Sequence, residues 1–280
     1  MSYQQQWRRL AKTYDASEAK ALLRIVYEVR YGLSLSDLLV GRDVVVPQQE
    51  LEQIVLRLEQ HEPVQYILGQ ADFFGRTFRV TPAVLIPRPE TGELCQWVVD
   101  EVRDKRQETS EDLSVLDIGT GSGCIAITLA AELPETKVAA WDISEEALQV
   151  ARKNALLNGV SVSFELHDAL YTTAATQRTV DIIVSNPPYI CNKERASMEP
   201  NVLDHEPHTA LFVPDDDPLL FYRAIAHYGQ TALRPEGNLY FEINPLYADP
   251  LYAMLTAMAY HDIIIKEDQY GNQRMIRACL

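Results

Sequence analysis

"VLDIGTGSGCIAITLA", Val115 to Ala130, joins an apolar run to a second apolar run of helical length through a loop with glycines at 119, 121 and 123. An apolar strand, a glycine loop and a helix in that order make the first turn of a doubly wound sheet, where ligands bind outside the carboxyl ends of the strands. Glycine lets the backbone approach a ligand closely and reach positive φ. A dinucleotide site has a similar loop, but the G-x-G-x-x-G spacing fails because Cys124 stands where the third glycine belongs. Asp117, two residues before Gly119, would face a ligand's cation and repel a pyrophosphate; its plain structural role would be to cap the helix that follows.

The pattern repeats downstream. The strand-like runs "SVLDIG", "KVAAWD", "VSFELH", "VDIIVS" and "GNLYFEI" alternate with helical patterns near 90–105, 122–132, 144–158, 217–233 and 245–259. Strands separated by helices imply βαβ units and a parallel sheet covered on both faces. The ending departs from that rule. "HDIIIKEDQYGNQRMIRACL" reads as strand, turn at Tyr270-Gly271-Asn272 and strand, so the last strand is expected to run antiparallel to its neighbour.

Ahead of the sheet, "DASEAKALLRIVYEVRYG" has apolar residues at Ala19, Leu22, Leu23, Val26 and Val29, with Asp15 or Ser17 as cap and Gly32 past the end. "SLSDLLVG" reads as a shorter capped helix, and "PQQELEQIVLRLEQ" as a helix with Pro47 at its first position. Residues 1–70 are therefore expected to form a small helical domain. Residues 71–89, aromatic and β-branched with Gly75 at a turn, read as a β-hairpin linker, and 90–280 as the α/β domain.

"VSNPPYI", Val184 to Ile190, ends the fourth strand abruptly. Pro187 and Pro188 cannot donate to a sheet ladder and fix their own φ, so the backbone there holds one stiff shape. At this place the run lies beside the glycine loop, across the point where the strand order reverses. An amide or exocyclic amine is a poor nucleophile because its lone pair is delocalised. The Asn186 side-chain oxygen and the Pro187 carbonyl, held on its two N–H bonds, would orient such a nitrogen and favour its developing positive charge. Tyr189 would stack on the target's flat face and keep water out. The structural alternative is a turn with a core tyrosine, since Asn-Pro starts many turns.

Asp142, ending the second strand in "AAWDIS", sits where such folds present an acid to ribose hydroxyls, and Ser144 can cap the next helix. Asp168 and Ala169 follow the third strand at the height where an adenine would lie; a solvated turn explains Asp168 equally well.

An otherwise parallel sheet ending in a reversed strand resembles that of the class I S-adenosylmethionine methyltransferases, whose methionine ammonium would suit Asp117. More closely, the chain resembles the release-factor glutamine methyltransferases, the HemK/PrmC group. The resemblance covers nearly the whole length: the helical N-terminal domain, "FFGRTFRVTPAVLIPRPET", "LDIGTGSG", "VSNPPYI", "EPHTALF" and "YGNQR". It implies methyl transfer from S-adenosylmethionine, giving S-adenosyl-L-homocysteine, to the glutamine amide in the GGQ tip of class 1 peptide chain release factors. Gly119, Thr120, Gly121, Ser122, Gly123, Asp142, Ala169 and Asn186 would then line the cofactor pocket, and Asn186, Pro187, Pro188 and Tyr189 would hold the glutamine. Gly92 stands where the family usually has Glu, and is expected to weaken a helix start. Asn244 stands where glycine or histidine is often seen, and neither departure is expected to touch the chemistry. A sister group acting on a ribosomal protein glutamine, DNA adenine methyltransferases sharing NPPY, and a cofactor-loaded binding module without turnover are the competing readings.

Charge argues against the DNA enzyme. Of 280 residues, 25 are Lys or Arg and 40 Asp or Glu, a formal −15, which opposes unaided binding to DNA or an anionic membrane. Residues 1–75 hold 8 basic and 10 acidic residues, leaving 17 against 30 beyond, so the acidity belongs to the later part. The four cysteines form no C-x-x-C pair and read as buried reduced thiols rather than a metal site. "MSYQQQWRRLAKTYDAS" is polar and no run reaches the ~18 apolar residues of a membrane span, so a cytoplasmic monomer without a targeting segment is expected.

Overall fold

Asp15 and Gly32 bracket the chain's first long helix. In the computed structural model, which describes residues 2–42, 46–106, 113–171 and 178–280, the Asp15 carboxylate accepts the backbone N–H groups of Ser17 and Glu18, and Gly32 ends the helix in the left-handed region. The helices α1 (Tyr3–Leu10), α2 (Ala16–Tyr31), α3 (Leu35–Leu39), α4 (Gln48–Glu59) and α5 (Val64–Leu68) share a core of Leu10, Leu23, Val26, Tyr27, Leu51 and Leu58. Arg9 on α1 bonds Glu52 and Glu59 of α4 at 2.6 and 2.7 Å. Two residues differ from the periodic reading. Tyr27, not Val29, fills the inner face, and Pro47 stands one position before α4, its carbonyl accepting the Leu51 N–H. This compact unit comprises residues 1–70 together with Glu199–His205.

The second compact unit holds 71–198 and 206–280. A short hairpin, β1 (Gln70–Phe73) and β2 (Arg76–Arg79), turns at Phe74 and Gly75, both at positive φ. It is shorter than the 71–89 span expected of it: residues 80–88 have no regular structure, because Pro82 and Pro87 supply no ladder N–H. There follow α6 (Pro89–Arg106), β3 (Ser114–Ile118), α7 (Cys124–Glu132), β4 (Lys137–Asp142), α8 (Glu145–Leu157), β5 (Ser163–Leu166) and β6 (Val180–Ser185). Beyond them lie β7 (Ile190–Cys191), α9 (Pro200–Leu203, in the first unit), α10 (His208–Leu211), β8 (Phe212–Val213), α11 (Leu220–Ala232), β9 (Leu233–Glu242), α12 (Ala248–Ala257), β10 (His261–Glu267) and β11 (Gln273–Cys279).

The main sheet has the order β10-β11-β9-β6-β3-β4-β5. From β9 to β5 every pairing is parallel, and the order reverses between β3 and β6. The Ser185 hydroxyl at the end of β6 donates to the Ile118 carbonyl at the end of β3, 2.5 Å away, and so fixes the two carboxyl ends side by side. One face is covered by Leu94, Val98, Ile125, Ile127 and Leu129 of α6 and α7 with Phe73 and Phe78 of the hairpin, the other by Tyr222, Ile225, Leu251 and Leu255 of α11 and α12. β11 is the reversed strand, antiparallel to β9 on one side and β10 on the other. Met275, Ile276 and Ala278 of β11 are buried whereas β10 is largely exposed, so the more apolar strand takes the inner place. The small parallel pair β7–β8 had no signal in the sequence, two residues being too few for a period. All four cysteines are buried and none is in a disulfide. Among the described residues no helix is long and apolar enough to cross a membrane.

Gly123 combines a left-handed backbone with a close approach. Its φ is +82°, and a Cβ there would meet Ile127 Cδ1 at 2.8 Å and Ala151 Cβ at 3.1 Å. Gly123→Ala is expected to cost about 2–4 kcal/mol from left-handed strain and overpacking together. Urea unfolding followed by tryptophan fluorescence measures it, and a loss below about 0.5 kcal/mol would contradict this packing.

Candidate active site

A cavity of about 530 Å³ opens at the carboxyl ends of β3, β4 and β6, within the size range of small-ligand sites. Gly119, Thr120, Gly121 and Ser122 form one wall, Asp142, Asp168 and Ala169 a second, and Asn186, Pro187 and Pro188 a third. Gly119 and Gly121 hold φ of +77° and +53° with nothing near where a Cβ would stand. Gly123 is not on the wall: it seats the loop against Ile127 of α7 and Ala151 of α8, where a Cβ would have no room.

The three aspartates fare differently. Asp142 is mostly buried at the wall, its Oδ2 accepting the Gly121 N–H at 2.8 Å and its Oδ1 the Ser144 N–H at 2.9 Å. Burial raises its pKa, and a carboxylate with two further lone-pair sites can still receive hydroxyls from a ligand. Asp168 lines the cavity and its Oδ1 accepts the Leu170 N–H at 2.9 Å, the turn role open to it from the sequence. Asp117 does not line the cavity. It is fully buried behind the loop, where Oδ2 accepts the Thr120 hydroxyl at 2.6 Å and the Ala126 N–H at 3.2 Å, so it caps α7. Among the described residues its Oδ1 has no partner, and burial pushes its pKa up to about 7.

At the NPPY turn, Asn186 Nδ2 donates to the Thr91 hydroxyl at 3.2 Å, and that hydroxyl donates to Glu242 Oε2 at 2.6 Å. Tyr189 does not lie over the cavity as a stacking lid. Its hydroxyl donates to Glu242 Oε1 at 3.0 Å and its ring rests on the core beneath α11. The structure thus brings together the glycine loop, Asp142, Asp168, Ala169 and Asn186–Pro188, and sets Asp117, Gly123 and Tyr189 behind them.

Other wall residues come from places where no site was expected: Pro82–Leu85 and Arg88 from the irregular segment after the hairpin, Thr91 from the first turn of α6, and Phe212 and Phe221. Arg88 bonds the buried Glu206 carboxylate, whose Oε2 also accepts the Ile86 N–H at 3.1 Å. Asn154 on α8 ties that segment to the loop. It accepts the Arg79 N–H at 2.7 Å and donates to the Arg79 and Ser122 carbonyls. The distinctive "IPRPET" motif was the available signal, because it placed charged and hydroxyl residues directly after a rigid proline segment.

Residues 3–69 match the family described as the PrmC N-terminal domain and 103–205 the methyltransferase small domain. A curated release factor glutamine methyltransferase of Bacteroides thetaiotaomicron is 47% identical over 96% of this chain and 95% of its own length. The chain belongs to the release factor glutamine methyltransferases. A second member, from Flavobacterium psychrophilum, is 43% identical over 96% of this chain and 94% of its own length. The solved 16S rRNA N2 G1207 methyltransferase of Thermus thermophilus, in complex with AdoMet and guanosine, shares the fold, with TM-score 0.53 and 18% identity over 75% of this chain and 49% of that one.

The two departures from the release factor glutamine methyltransferase pattern have different consequences. Gly92 lies inside α6, and a Cβ there would make ordinary contacts of 3.7 and 3.8 Å with Phe73 and Phe74. Asn244 was expected to stand clear of the chemistry, yet its Nδ2 donates to the Tyr189 carbonyl at 3.1 Å and to the Glu194 carboxylate, so it holds the far end of the NPPY turn.

Asp117 yields a pH prediction. Its folded pKa of about 7 lies above the ordinary 3.8, so between those values the unfolded chain has lost a proton that the folded chain keeps. Its contribution to stability is full below about pH 4, falls as pH rises to about 7, and is level above that. Asp117→Asn, with its carbonyl in the place of Oδ2, keeps both bonds and removes the titration. The stability difference between wild type and this variant should therefore shift against the wild type from pH 4 to 7. A pH-independent difference in urea unfolding would show that Asp117 is not held protonated.

Proposed function

We propose that this chain transfers the methyl group of S-adenosylmethionine to the side-chain amide nitrogen of the glutamine in the GGQ tip of class 1 release factors, releasing S-adenosyl-L-homocysteine. The observation that carries this reading is that Asn186 and Pro187 share one cavity with the glycine loop and Asp142, in a chain 47% identical to a release factor glutamine methyltransferase. The wall fits the cofactor: a desolvated carboxylate with open lone pairs suits ribose hydroxyls, and Asp168 and Ala169 suit an adenine. Bound there, the cofactor would supply a methyl group on a positively charged sulfur.

The remaining chemistry belongs to the chain. Asn186 Oδ1 and the Pro187 carbonyl would accept the two N–H bonds of the glutamine amide and orient its nitrogen toward the methyl. They would also stabilise the positive charge that develops there, so no strong base has to remove a proton first. The leaving proton would pass to solvent after transfer. Tyr189, tied to Glu242, would keep the turn rigid. Residues 1–70, 71–89 and 90–280 serve in this reading as a docking domain for the release factor, a linker and a methyltransferase domain. The enzyme works as a cytoplasmic monomer, without direct nucleic-acid binding; the excess of acidic residues beyond residue 75, 30 against 17 basic, supports a basic protein partner over DNA.

Asp142→Ala should weaken S-adenosylmethionine binding by about 1–3 kcal/mol in calorimetry, because ribose hydroxyls are left poorly paired; unchanged affinity would refute the ribose role. For the substrate, tritium transfer from labelled cofactor should reach intact release factor, but not its Gln-to-Asn variant, which is one methylene too short, and not duplex DNA. Label on DNA and none on release factor would overturn the assignment.

A further inference from the structure

Asn186 can clamp an amide N–H only if its oxygen, not its nitrogen, faces the cavity, and nothing within the NPPY turn fixes that choice. Resting on the function proposed above, we infer that Thr91 and Glu242 are positioning residues that set the Asn186 amide with Oδ1 toward the substrate nitrogen. Counting donors gives the reason. Glu242 takes the Thr91 hydroxyl hydrogen at Oε2 and the Tyr189 hydroxyl hydrogen at Oε1. Thr91 has one hydrogen and has given it away, so toward Asn186 its oxygen can only accept. Asn186 must therefore present Nδ2 to Thr91, at 3.2 Å. Its Oδ1 takes no hydrogen bond from the described residues and is left to the cavity that Asn186 lines.

A flipped amide would set the Asn186 oxygen against the Thr91 oxygen, with no hydrogen between them, and would offer the substrate a donor where an acceptor is needed. Thr91 and Glu242 are both buried, so water does not compete for these bonds. The two residues lie 151 positions apart, on α6 and at the end of β9, and meet at one side chain of the turn after β6. Glu242 thereby holds the turn on both sides of the prolines: Asn186 through Thr91, and Tyr189 directly.

Thr91→Val, nearly the same shape but without the hydroxyl, removes the polarity signal, while Thr91→Ser restores it. In Thr91→Val, kcat on release factor should fall about tenfold or more with the dissociation constant for S-adenosylmethionine within twofold of wild type, and Thr91→Ser should recover most of the loss. Independently of turnover, asparagine-selective 15N labelling should show an Asn186 Nδ2 proton exchanging with solvent at least tenfold more slowly in wild type and Thr91→Ser than in Thr91→Val. An unprotected Nδ2 in wild type, or Thr91→Val with wild-type kcat and exchange, would overturn the positioning role. Protection in wild type with no transfer to release factor would instead uphold the orientation and refute the substrate assignment.

Discussion

The parallel pairing of β3 with β6 is the constraint on which the rest depends. Val115, Leu116 and Asp117 pair with Ile182, Ile183 and Val184, and Ser185 locks the ends together through the Ile118 carbonyl. A one-residue slip would exchange the two buried faces of β6, setting Ile182 and Val184 where Ile183 now packs, and carry the NPPY turn away from the glycine loop. Since the sheet order reverses between these strands, the following chain segments diverge and leave a crevice. The cavity exists because two stiff turns cannot both fill that space. The Gly119–Ser122 loop bends away with Gly119 and Gly121 at positive φ, and Pro187 and Pro188 stop β6 without a ladder bond.

Around this crevice three carboxylates, Asp117, Asp142 and Glu242, stand without a cation partner among the described residues, and each is held for a different end. Asp117 closes the start of α7, Asp142 binds the loop's own N–H and faces the cavity, and Glu242 gathers hydroxyls from Thr91 and Tyr189. Burial raises the pKa of all three, and among the described residues no cation stands within bonding distance to offset the lost water, Arg274 acting on Glu242 only from farther away. Such groups contribute little to stability and persist where preorganised acceptors are needed.

The doubly wound sheet, its reversed hairpin strand and the cavity's two principal walls were legible in the sequence, because glycine, proline and β-branched runs report backbone geometry directly. Asp117 was misread as a wall residue: sequence position gives the height of a residue on the strand but not which way its carboxylate turns, and a helix N-terminus lay closer than the cavity. Tyr189 was likewise taken for a lid because Glu242, its partner, lies 53 positions away at the end of another strand. The IPRPET motif marked Arg88 and Thr91 but not their partners Glu206 and Glu242, because long-range pairs leave no local period. Asn244 was legible as a departure from the family pattern but not as the donor that holds Tyr189, since that bond spans 55 positions.

The central claim is that Asn186 and Pro187 grip the glutamine amide by its two hydrogens at the mouth of the cofactor cavity. A crystal structure of the complex with S-adenosyl-L-homocysteine and a class 1 release factor tests it most directly. Asn186 Oδ1 and the Pro187 carbonyl should both lie within about 3.2 Å of the glutamine Nε2, with Asn186 Nδ2 still on Thr91. A glutamine seated elsewhere, or an Asn186 amide turned with its nitrogen toward the substrate, would contradict it.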